Sequence, residues 1–99
     1  MVKKEDNHFL YILECGDGTY YTGYTNDVAK RLEKHRDGKG AKYTRGRGPL
    51  KLVFQKSFST KQEAMQMEFA VKKLNRAEKE RMIKEGSVSY VAAKELRKG

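Results

Sequence analysis

The stretch HFLYILECGDGTYYTGYT, residues 8–25, constrains the fold more than any other part of the chain. Two apolar, aromatic-rich runs flank an Asp-Gly pair. That dipeptide reaches the positive φ angles of a tight turn with little strain, so runs on either side fold back on each other as a hairpin. HFLYILEC (8–15) reads as a buried strand and TYYTGY (19–24) as its return. Strand alternation then sorts the side chains. Phe9, Tyr11 and Leu13 share one face, and Thr19, Tyr21 and Gly23 share one face of the return strand, with Tyr20 and Tyr24 opposite, where packing is expected.

After the hairpin the pattern becomes helical. Thr25, Asn26 and Asp27 are N-cap candidates for VAKRLEKHR (28–36), and Gly38 ends that helix. GKGAKYTRGRGPL (38–50) is a glycine-rich basic loop, and LKLVFQKSF (50–58) alternates as a third strand. Thr60 and Glu63 have capping-box spacing ahead of KQEAMQMEFAVKKL (61–74). Asn75 caps RAEKERMIKE (76–85), which Gly86 closes. The order β-β-α-β-α-α predicts an α+β domain, a three-stranded antiparallel sheet flanked by helices. With 99 residues there is room for one core. The expected organisation is a loose N-terminus at 1–7, the domain at 8–86 and a tail at 87–99 whose VSYVAA segment packs back in part.

Charge narrows the partner. Lys and Arg number 22 against 13 Asp and Glu, a net +9 that favours a polyanion. DNA, RNA and an anionic membrane surface all qualify, but no run is long enough to span a bilayer, and the short helices carry acids as well as bases. Charged residues reach 35%, a composition that would suit disorder if the apolar residues were not in periodic runs. The single cysteine, Cys15, excludes a disulfide framework and a cysteine-based zinc site and suits a reducing cytoplasm. MVKKEDNHF is charged and lacks an apolar run, so no secretory leader is expected.

Several polar residues fall on apolar faces. Val28, Arg31, Leu32 and His35 lie at i, i+3, i+4 and i+7. Arg31 and His35 therefore sit on or beside the buried side, either at its rim with the Arg stem snorkelling to water or in use. Glu68 falls inside the arc marked by Ala64, Met67, Val71 and Leu74, and Asn75 follows seven residues on. A salt bridge to Arg31 would explain Glu68 plainly. The sharper alternative is a carboxylate that, with waters and a phosphate, holds Mg²⁺. Buried phenols need hydrogen-bond partners in any case, so the tyrosines count only with the rest of the set.

The ordered set resembles the GIY-YIG nuclease superfamily over roughly residues 8 to 75. LYIL followed ten residues later by YTG looks like its paired strand motifs. Here the first reads LYI and the second Tyr-Thr-Gly, with both tyrosines and the second glycine kept. Arg31 comes ten residues after Tyr21, His35 one turn later, and Glu68 matches the metal-binding Glu of the pattern. HRDGKGAKYTRGRGPLKLV (35–53) is similar to small stand-alone bacterial members and to the nuclease subunit of structure-specific endonucleases that cut branched DNA. Asn75 is similar in place to a polar helix residue of some members.

The resemblance implies a DNA endonuclease, a hydrolase acting on branched or damaged DNA, with one divalent metal, Mg²⁺ or Mn²⁺, on Glu68. Arg31 would fork onto the scissile phosphate. Tyr21 or Tyr11 would relay a proton from the attacking water, with Tyr21 preferred, and His35 would hydrogen-bond a phenol or serve as the base itself. A phenol acting as base needs a nearby cation to lower its pKa, and Arg31 and the metal are the candidates. Gly23 would keep a side chain out of the phosphate's way. The loop supplies the DNA-binding residues Lys39, Lys42, Arg45 and Arg47, with Tyr43 to stack on an unpaired base. Nothing in it reads base sequence, so backbone or shape recognition is expected. The alternative is a non-catalytic nucleic-acid-binding module.

Overall fold

The computed structural model describes residues 7–39 and 44–86. Strands β1 (His8–Glu14) and β2 (Tyr20–Thr25) form the expected hairpin, followed by helix α1 (Val28–Arg36), strand β3 (Lys51–Phe58), and helices α2 (Lys61–Lys72) and α3 (Arg76–Glu85). The sheet order is β2-β1-β3, with both pairings antiparallel. β1 is central and correspondingly apolar, with Leu10 to Leu13 all buried. The register places Tyr11 opposite Gly23 and Leu13 opposite Tyr21. On β3 the ladder slips between Ile12 and Leu13, whose partners are Phe54 and Leu52, leaving Val53 as the extra residue of a bulge.

Alternation divides the core. One cluster joins Leu10, Ile12 and Phe54 to Ala70, Val71 and Leu74 and to Met82 of α3, with Tyr20 packed against it. The other holds Tyr11, Leu13, Cys15 and Leu50, with Tyr21 and Leu32 of α1 against it. Tyr11 and Tyr21 therefore share a face and Tyr20 belongs to the opposite one. Tyr24 is hydrogen-bonded through its Oη to His8 Nδ1 at 2.9 Å and stacks on that ring.

Helix ends follow local chemistry. Asp27 caps α1 by accepting from Lys30 N, and Gly38 takes φ 75° beyond its end. Asn75 makes a full capping box with Glu78, and Gly86 closes α3 in the left-handed region. At Thr60 half of the expected box forms: its hydroxyl accepts from Glu63 N, while the Glu63 carboxylate accepts from Ser59 Oγ at 3.1 Å. α2 stops at Lys72 rather than 74 because the Lys73 and Leu74 amides bond back three residues, to Ala70 and Val71. Among the described residues no helix is long and apolar enough to cross a membrane.

Candidate active site

The site forms where the Tyr11 ring passes over Gly23. A Cβ at Gly23 would stand 2.6 Å from Tyr11 Oη and 2.7 Å from Cζ, so glycine is what lets the phenol lie there. This gives Gly23 a different purpose from the expected one: it clears space for a protein side chain.

α1 delivers His35 to the phenol. Of its residues only His35 is fully buried, at 2% exposure, whereas Val28 and Leu32 are partly covered. His35 Nε2 lies 2.9 Å from Tyr11 Oη in a hydrogen bond. Its Nδ1 lies 2.9 Å from Thr44 Oγ1, on the loop that leads to β3. Tyr21 packs edge-on against the imidazole, with ring centroids 5.3 Å apart. The imidazole hydrogen bond thus goes to Tyr11, whereas the sequence favoured Tyr21 for the relay.

Arg31, one turn before His35, and Glu68 of α2 both act on the same phenol. Burial, reinforced by Tyr21, pushes the Tyr11 pKa up to about 12, and the Arg31 guanidinium opposes that rise without overcoming it. Arg31 acts in the expected direction, but desolvation of the phenolate outweighs that one partly solvated cation, so without a metal the net shift is upward. Burial, followed by Arg31, holds His35 below its ordinary 6.5. At neutral pH the resting pair is neutral phenol and neutral imidazole.

Glu68 ion-pairs with Lys72 one turn on, at 3.1 Å, and its side chain is 16% exposed. The plain alternative of an Arg31 partner is not what the helix provides. Among the described residues no three His, Cys, Asp or Glu side chains cluster as a closed metal cage. Glu68 by itself suits a hard cation that keeps most of its waters and shares a substrate phosphate, which is how Mg²⁺ and Mn²⁺ bind.

The remaining candidates separate. Lys39 and Arg45 are exposed on the loop. Arg47 pairs with Asp17 of the hairpin turn, and Gly16 N donates to Arg47 O, so its charge fastens the loop to the turn instead of standing open for DNA. Lys42 and Tyr43 lie outside the described residues, as do most of 1–7 and all of 87–99. Asn75 is exposed, and its side chain is engaged as the α3 cap, which accounts for it without a part in the site. Thr44, 2% exposed, was missed: a lone threonine among glycines and cations carries no periodic or capping signal.

A family model described as the GIY-YIG catalytic domain matches residues 7–81, and the chain belongs to that family. It is 58% identical over 77 residues to the UPF0213 protein BH0048 of Halalkalibacterium halodurans, covering 78% of this chain and 82% of that one. It is 56% identical over 80 residues to the UPF0213 protein YazA of Bacillus subtilis, covering 81% of each. The solution NMR structure of BH0048 superposes with a TM-score of 0.55 at 52% identity, covering 90% of this chain and 95% of that one. The solution structure of EF2693 from E. faecalis gives 0.57 at 40% identity, over 84% and 88%.

Proposed function

We propose that the protein is a metal-dependent endonuclease that hydrolyses phosphodiester bonds in DNA, at branched or damaged sites, in a reducing cytoplasm that suits the free, buried Cys15. The observation that carries the reading is the buried 2.9 Å hydrogen bond between Tyr11 Oη and His35 Nε2, on a phenol whose charge is felt by Arg31 and Glu68. A lone buried phenol needs one partner. An imidazole, a guanidinium and a carboxylate around it are the parts of a phosphoryl-transfer site.

In this reading Glu68 holds one divalent ion, Mg²⁺ or Mn²⁺, exchanging its Lys72 partner for it. When bound, the ion supplies positive charge for the phosphate and the leaving oxygen. Arg31 forks onto the scissile phosphate and orients it. Tyr11 takes a proton from the attacking water as its own proton passes to His35 Nε2. The water oxygen bonds to phosphorus, the phosphorus–O3′ bond breaks, and the leaving oxygen is protonated from solvent. Both pKa directions suit such a shuttle, since it must start with the proton on the phenol and the imidazole empty. Tyr21 walls the imidazole and keeps water from it. Lys39 and Arg45, with Lys42 and Tyr43 beyond the described residues, hold the DNA backbone.

The test is cleavage of duplex, flap, fork and four-way-junction DNA, and of matched RNA, in Mg²⁺ or Mn²⁺. Metal-dependent cutting of a DNA substrate that Glu68→Gln and Arg31→Ala abolish is expected. No cutting of any substrate, or variants that cut as well as the parent, would sink the reading. The net charge of +9 on a small domain favours a second reading, a binding module without turnover. It predicts salt-sensitive DNA binding with no metal-dependent product.

A further inference from the structure

His35 is gripped at both ring nitrogens, and the second grip comes from the basic loop. Thr44 Oγ1 and His35 Nδ1 are 2.9 Å apart, and both residues are 2% exposed. A neutral imidazole has one N–H and one lone pair. A phenol is a more acidic donor than an imidazole N–H, and an imidazole nitrogen is a more basic acceptor than a phenol oxygen. With the phenol hydrogen directed at His35 Nε2, 2.9 Å away, Nε2 carries the lone pair and Nδ1 the hydrogen. Thr44 Oγ1 accepts that hydrogen.

We propose that Thr44 is a positioning residue that fixes His35 as the Nδ1-protonated tautomer, leaving Nε2 free to receive the Tyr11 proton. The loop that carries Thr44 is itself secured. The Arg47 amide bonds back to Thr44 O at 3.2 Å, the Arg47 carbonyl accepts from Gly16 N at 2.5 Å, and its guanidinium pairs with Asp17. Thr44 thus connects a strip anchored on the hairpin, with Arg45 exposed on it, to the ring that takes the proton. The tautomer requires only the folded protein; the kinetic consequence rests on the nuclease reading above.

The chain has two histidines, so long-range ¹H–¹⁵N correlation of the uniformly labelled, full-length protein resolves each ring. At a pH where His35 is neutral, its Nδ1 is expected to be protonated and Nε2 bare in the wild type and in Thr44→Ser. In Thr44→Val the two nitrogens should move toward averaged or exchanged shifts while His8 stays put. In cleavage assays Thr44→Val should lower kcat on the order of 10²-fold, the low end for a proton-transfer group. KM should hold within about twofold, since the phosphate-binding cations remain. Thr44→Ser should restore most of the rate. A wild-type spectrum with Nε2 protonated overturns the proposal even if Thr44→Val fails to fold, and so does a folded Thr44→Val with the wild-type tautomer. Cleavage absent from every protein would end the nuclease reading, while the Nδ1-protonated spectrum, lost in Thr44→Val, would still uphold the role of Thr44.

Discussion

Gly23→Ala separates two explanations of the same glycine. If Gly23 only keeps a path open for phosphate, alanine should hurt cleavage and leave stability alone. The structure predicts otherwise. The added methyl would lie 2.6 Å from Tyr11 Oη and 2.7 Å from Cζ, closer than real side chains approach. The ring cannot swing aside freely: it is 2% exposed, and its Oη is hydrogen-bonded to His35. Forcing a methyl into such a place costs about 1–3 kcal/mol. Alanine returns about 0.4–1 kcal/mol by restricting the unfolded chain, because Gly23 does not have the positive φ that alanine would resist. The net loss should be about 1–2 kcal/mol, and at ~4–8 °C per kcal/mol for a domain of this size the Tm should fall by roughly 5–15 °C. Urea and thermal unfolding followed by circular dichroism measure it. The same substitution in a Tyr11→Leu background, where the ring is gone, should cost close to nothing, giving a coupling of about 1–2 kcal/mol in the double-mutant cycle. A Gly23→Ala protein as stable as its parent, or a penalty unchanged by Tyr11→Leu, would refute the packing explanation.

Three further expectations follow from the site and its supports. His35 binds its proton more weakly in the folded protein than at its ordinary 6.5, so its contribution to stability is complete above pH 6.5 and is lost as pH falls toward the native value. Cleavage should decline with protonation of the same ring, and an NMR titration of His35 that stayed at or above 6.5 would contradict both. Asn75→Ala removes a capping box and should cost about 0.5–2 kcal/mol in urea unfolding while leaving cleavage per folded molecule unchanged. A large fall in kcat without loss of stability would instead return Asn75 to the site. Arg45→Ala should weaken DNA binding and lower the slope of log K against log salt by about one, whereas Arg47→Ala, whose cation is already paired with Asp17, should change the slope less.

What was legible in the sequence was what neighbours in the chain decide. α1 and α3 begin and end where their caps predict, because a cap is a contact between residues three or four apart. The hairpin and the faces of each strand were readable for a similar reason, since strand alternation is a local rule: it put Tyr21 with Gly23 and set Tyr20 apart, while the register that joins Tyr21 to the Tyr11 face came from the fold. Helical spacing, another local rule, placed His35 near the buried side of α1. The end of α2 was less readable, because the tightening of its last turn depends on how Val71 and Leu74 pack beneath the sheet.

The partners were not legible, because each is chosen across the fold. Arg47 and Asp17 are 30 residues apart, and only the folded loop makes one a counter-ion of the other. Arg31 was the salt-bridge partner that the sequence suggested for Glu68, and helix geometry gave it Lys72, four residues on, instead. Burial of the Tyr11 strand and the cation beside its phenol were both foreseeable, but which of the two would win was not, and in the fold burial outweighs Arg31. These reversals bear on how the site works. A phenol kept protonated and an imidazole kept empty make a poor standing base but a matched pair for passing one proton, provided that the empty nitrogen faces the phenol. In the role proposed above for Thr44, which nitrogen is empty is set by a residue of the basic loop, 2.9 Å from His35 Nδ1, and not by either motif strand. On the nuclease reading, proton transfer in this chain then depends on a residue of the basic loop as well as on those of the two motif strands.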